Sequence, residues 1–115
     1  MYQKEIAKLI IHYIKDVAGK GPSLIKITIS ENIINVDAKG VLTILEQNLL
    51  KKNHNNKALI KLIRKQLAEL VLHKITEDLR KVTQIKDLKI TSYTSLMDYE
   101  NDRQIIVFIC NKFIQ

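Results

Sequence analysis

The chain has 115 residues, 46% of them hydrophobic and 27% charged, and 19 Lys and Arg against 12 Asp and Glu give a net charge of +7. That length supports one hydrophobic core over residues 1–115, and the composition is globular rather than disordered or fibrous. The longest apolar run, Ile105 to Cys110, falls far short of the ~18 residues of a membrane-spanning helix, and the charged start at Lys4, Glu5 and Lys8 is unlike a signal peptide.

In chain order, Ile6, Leu9, Ile10, Tyr13, Ile14 and Val17 recur at spacings of three and four, which predicts an amphipathic helix over residues 2–18. Gly19-Lys20-Gly21-Pro22 stops it, because glycine accepts a left-handed conformation after a helix and proline cannot continue the hydrogen-bond ladder. Ile25, Ile27 and Ile29 then alternate with Lys26, Thr28 and Ser30, and Ile34, Val36 and Ala38 with Asn35, Asp37 and Lys39. With Glu31-Asn32 as the turn, residues 24–39 read as an antiparallel hairpin with one wet face, closed by Gly40.

Thr43 and Glu46 have the spacing of a capping box, so a short helix should run to about Lys52. After Asn53-His54-Asn55-Asn56, either of the last two asparagines is placed to cap a long helix over residues 57–82. Its expected apolar stripe is Ile60, Ile63, Leu67, Leu70, Val71, Ile75 and Leu79. Leu88, Ile90 and Tyr93 open a second strand pair, and Asp98-Tyr99-Glu100-Asn101-Asp102 reads as an exposed, mobile connection. Arg103 to Lys112 is apolar on both faces, which predicts a central strand or one buried by a partner.

The order α-β-β-α-α-β-β defines an α+β fold: a two-layer sandwich in which helices cover a four-stranded, mostly antiparallel sheet of two hairpins.

Chemistry is harder to find. Gly19-Lys20-Gly21-Pro22 looks like part of a phosphate loop, but such a loop presents amides at a helix start, and here the glycines follow a helix end. The turn is therefore conformational first, with Lys20 a candidate ligand contact. His12, His54 and His73 lack metal-ligand spacing, and Cys110 is the single cysteine, so no metal or other cofactor is expected. A lone cysteine makes no internal disulfide, fits a reducing compartment and is expected to pack in the core. Asp98, Glu100 and Asp102 lack the glycine and distal glutamate of a calcium loop. With no nucleophile signature either, the chain is expected to be non-enzymatic.

Basic residues concentrate between Lys51 and Lys81, and Lys57, Lys61, Arg64 and Lys65 fall within two helical turns as a candidate anion-binding face for nucleic acid or another anionic ligand. A merely solvated lysine face is the competing reading.

The helix, Gly19-Lys20-Gly21-Pro22, the hairpin, Lys39-Gly40-Val41-Leu42-Thr43 with Glu46 just beyond, the long helix and Ile105-Ile106-Val107-Phe108 together resemble the MpsC-like family of small bacterial proteins. The resemblance covers nearly the whole chain. It implies a cytoplasmic accessory component, peripheral at the inner face of the membrane, of a sodium-translocating, membrane-potential-generating system. On that resemblance and the doubly apolar last strand, the expected partners are a second copy in a homodimer and a membrane transport-complex protein. The stretch Tyr93 to Asp98 lacks the threonine-aspartate pattern of that family.

Overall fold

The computed structural model describes residues 2–114. Helix α1, Gln3–Ala18, buries Ile6, Ile10 and Tyr13, and Gly19 ends it at φ 77° with its N–H bonded to the Lys15 carbonyl at 2.8 Å. The predicted stop is thus built as a left-handed cap. Strands β1, Leu24–Ser30, and β2, Ile33–Lys39, pair antiparallel with Ile27 opposite Val36, so the alternating isoleucines reach one face together.

Helix α2, Ile44–Lys52, carries the predicted capping box: Glu46 N–H donates to Thr43 Oγ1, and Thr43 N–H donates to Glu46 Oε1. Helix α3 spans Asn56–Thr83, close to the predicted limits. Asn55 sits at its N-cap, but its side chain makes no capping bond, and Asn56 Nδ2 instead donates to the Leu49 carbonyl across the α2–α3 corner. At the other end Gln84 closes α3 in the left-handed conformation at φ 60°.

The second hairpin is β3, Ile90–Asp98, and β4, Arg103–Cys110, with a register shift between Ile90 and Ser92. The sheet order is β1-β2-β4-β3 and every pairing is antiparallel. The apolar β4 is therefore central. Its inner face sends Phe108 and Cys110 into the core, while Ile105, Val107 and Ile109 face the other way and stay partly exposed beside Ile33 and Leu96. All three helices lie on one side, which makes the fold a two-layer α+β sandwich.

The core lies between α1, the C-terminal half of α3 and the sheet, where Ile6, Ile10, Ile34, Val36, Ile75, Leu79 and Phe108 form one buried cluster with Cys110. Tyr13 Oη donates to Asp78 Oδ2 at 2.6 Å and ties α1 to that half of α3. From its N-terminal turns to its middle, α3 departs from the predicted stripe. Ile60 is buried, but Ile63 is 45% and Leu70 78% exposed. Five residues separate Leu70 from Ile75, so at roughly 100° per residue they stand about 140° apart around the helix and cannot both face the sheet.

The Asp98–Asp102 connection also departs from the expected free loop. Glu100 and Asn101 are exposed, but Asp102 Oδ1 accepts the Val41 and Leu42 amides at 2.9 and 2.7 Å, and Tyr99 Oη donates to the Lys57 carbonyl.

Candidate functional site

The two sequence turns meet. Lys20 Nζ, from the glycine-proline turn, donates to the Leu42 carbonyl at 3.2 Å, in the middle of Lys39-Gly40-Val41-Leu42-Thr43. Gly40 is fixed there at φ 69°, and a Cβ on it would fall 2.2 Å from Ser23 Oγ and 2.9 Å from Ser23 Cβ. Gly19 has the same backbone hand with open space around it. Gly21 and Pro22 are half-buried and lead the chain into β1.

From this loop the site grows toward α3. Arg64 Nε and Nη2 donate to the two Glu46 carboxylate oxygens at 2.6 Å each, and Nη2 also donates to the Val41 carbonyl at 2.7 Å. The pair is nearly out of water, with side chains 12% and 15% exposed. Burial alone would raise the Glu46 pKa, but the hydrogen bonds from Arg64 and Thr43 outweigh it and hold the carboxyl below its usual range. Arg64 Nη1 reaches Gln104 Oε1 at 3.4 Å, a long contact, while Gln104 Nε2 donates to Ser95 Oγ at 2.9 Å. Gln104 is the buried polar side chain of an otherwise apolar inner strand face.

The four basic residues singled out on the long helix therefore have different surroundings. Arg64 is turned into the ion pair. Lys57 Nζ lies 5.6 Å from the centroid of the Tyr99 ring, a cation–π contact. Lys61 and Lys65 are exposed and line a groove of about 490 Å³ between α3 and β3, with Tyr93, Met97 and Tyr99 opposite. The Tyr93 hydroxyl is buried without a hydrogen-bond partner there, and burial raises its pKa, helped by nearby Glu69.

On the other side of α3 a cavity of about 280 Å³ opens between α1, α2, α3 and the sheet. Its walls are mostly apolar, and Tyr13, Thr43, Glu46, Arg64 and Gln104 supply its polar part. Arg64, Ala68, Ile75, Gln104, Ile106 and Phe108 border both spaces.

The remaining candidates are placed apart. His73 pairs with Glu77 at the surface, His12 sets its ring edge against Tyr13, and His54 is exposed. Asp98 accepts from Asn101 while Asp102 turns to the Val41 and Leu42 amides, so the acids of that turn do not converge. Among the described residues no three His, Cys, Asp or Glu side chains gather to hold a metal ion. Cys110 is buried, and burial pushes its thiol pKa up.

Reading the sequence missed Glu46 as the partner of Arg64, and it missed Gln104 and Asp102. Gln104 did leave a signal, as the polar residue of an apolar strand. The Glu46–Arg64 pairing left none, since 18 residues and a helical corner separate the two.

This loop, buried ion pair and apolar cavity belong to a small two-layer α+β module in which no described helix is long and apolar enough to cross a membrane. The family model described as "Na+-translocating membrane potential-generating system (MpsC)" matches residues 1–112, and the chain belongs to that family. No curated protein and no solved structure matches it significantly.

Proposed function

We propose that the chain is a non-enzymatic accessory or regulatory module that works as a homodimer at the cytoplasmic side of a bacterial cation-translocating membrane system. The family membership supports the association with such a system. One structural observation carries the docking part: α2 and the first half of α3 form a ridge of exposed Ile44, Leu45, Leu59, Leu62 and Ile63. Apolar side chains grouped in this way mark an interaction surface rather than the scattered exposure usual on a monomer.

The ridge is bordered by Lys51, Lys52, Lys61 and Lys65, none of which has an ion-pair partner among the described residues. Two such surfaces would repel each other, so the ridge suits a protein partner with an acidic rim. The second copy is assigned to the outer sheet face, where Ile33, Leu96, Ile105, Val107 and Ile109 lie beside the Arg103–Asp37 pair. The apolar strip is the self-complementary part of such a contact, with Lys26 and Lys39 flanking the neutral Arg103–Asp37 pair.

The test is affinity purification from native cells after mild detergent extraction, with mass spectrometry of the membrane and soluble fractions. Wild-type chain is expected to recover a membrane-embedded cation-transport subunit, and the exposed double substitution Leu59→Glu with Leu62→Glu to lose it. Repeated failure to recover such a subunit, or equal recovery by the charged variant, sinks the docking reading.

A further inference from the structure

The cavity between α1, α2, α3 and the sheet opens beside the exposed α2–α3 ridge, sharing Leu45 and Ile63 with it, and is separate from the outer sheet face. It is a half-open apolar pocket of about 280 Å³. Ile14 and Val17 of α1, Leu67 and Val71 of α3, and Ile106 and Phe108 of β4 line it, so water gains few hydrogen bonds there. Its polar groups are Thr43, Glu46, Arg64 and Gln104, with Tyr13, whose hydroxyl is already bonded to Asp78. An apolar chamber with a few convergent polar groups is the usual form of a small-molecule site.

The polar groups decide the ligand class. Arg64 and Glu46 cancel in charge through two 2.6 Å bonds, so the site offers no net charge to an ion. Three of the five guanidinium N–H groups are used by Glu46 and Val41. The two on Nη1 have only the 3.4 Å contact to Gln104, beyond the usual range for such a bond. A donor held in place and under-used, beside a neutralised pair, fits a neutral acceptor oxygen. A ligand carboxylate would instead face the Glu46 carboxylate in a nearly dry site.

We propose that this cavity binds a small uncharged apolar molecule bearing a carbonyl oxygen, with the carbonyl on Arg64 Nη1 and the hydrocarbon body between α1 and α3. Because a cavity of about 150 Å³ takes up benzene, a body of roughly ten carbons suits this one.

The probe is 2-decanone, with decanoate as its charged counterpart, titrated into the full chain by calorimetry and followed by methyl resonances. The ketone is expected to bind saturably at one site per chain, at least tenfold more tightly than decanoate. It should shift Ile14, Leu67 and Val71 while leaving Leu96 and Ile109 of the outer sheet face unmoved. Val71→Trp, which fills the chamber, is expected to weaken binding at least tenfold. Absence of saturable binding, equal affinity for decanoate, or shifts confined to residues outside the cavity overturns the proposal. If Val71→Trp does not fold, the wild-type resonance shifts decide alone. The isolated chain is used, so the outcome is independent of whether any membrane partner exists.

Discussion

Arg64 and Glu46, 18 residues apart on two different helices, meet through two parallel hydrogen bonds of 2.6 Å, and the same guanidinium holds the Val41 carbonyl. One side chain thereby joins α3 to α2 and to the glycine loop that precedes α2. The cationic residue that looked available for an anion is already committed to an internal one.

Breaking this pair by removing one side leaves a charge in a site with little water. Arg64→Ala is expected to lower stability by about 3 kcal/mol, within the range for one-sided loss of a buried pair. Urea unfolding measures it. Arg64→Lys should recover less than half, because an ammonium cannot make the two parallel bonds. The double variant Arg64→Met with Glu46→Gln should cost clearly less than the sum of the single changes.

The Glu46 carboxyl also sets an acid limit. Its folded pKa lies below the ordinary 4.5, so its stabilising contribution is fully present above that value and disappears as pH falls through the lowered folded value. Denaturant midpoints measured from pH 6 down to pH 2 should fall more steeply for wild type than for Glu46→Gln. The two slopes should converge once Glu46 is protonated in both folded and unfolded chains. Parallel curves across the whole range would contradict a depressed Glu46.

Two glycines of the same backbone hand should respond differently to alanine. Gly19→Ala meets open space and is expected to cost about 1 kcal/mol, the ordinary penalty of a left-handed alanine. Gly40→Ala meets the same penalty and also places its Cβ against the side chain and backbone nitrogen of Ser23. A loss of about 3 kcal/mol is expected from strain and overpacking together. Thermal melts of the two variants, run side by side, check the order.

At high pH the clamp between α1 and α3 should fail. Burial, and then the hydrogen bond to Asp78, push the Tyr13 pKa from 10.0 up to about 12. A raised folded pKa favours the protonated form, so its contribution is complete below pH 10 and lost as pH rises toward 12. Wild-type stability should therefore decline across that interval, and Tyr13→Phe should flatten the decline. Phenolate absorbance should show Tyr13 titrating late together with Tyr93 and Tyr99, which burial also raises, and Tyr13→Phe should remove one of these late groups.

The anion-binding reading of the long helix rests on Lys61 and Lys65, the two exposed members of its set. If it holds, Lys61→Gln with Lys65→Gln should weaken salt-sensitive binding to a short single-stranded oligonucleotide by about tenfold at low salt, with little change in the melting temperature. An unchanged titration would remove that reading.

Where residues act through their neighbours in the chain, the sequence by itself was sufficient. The α1 stripe, the left-handed stop at Gly19, the alternation of the first hairpin and the Thr43–Glu46 capping box all operate within a few residues, and their periodicities are written locally. The central position of β4 was legible too, because a strand apolar on both faces is costly at an edge. Tertiary structure decided the rest. Neither asparagine offered as a cap makes a capping bond: Asn55 holds the N-cap position in a helical backbone conformation, and Asn56 reaches the Leu49 carbonyl across a corner. Leu70 left the core stripe because a 28-residue helix rotates its apolar positions away from a sheet it crosses on one side. Arg64 became a buried tie because Glu46 and the Val41 carbonyl reach it before any ligand does. Such contacts depend on distances between elements far apart in sequence, and local propensity holds no record of those distances.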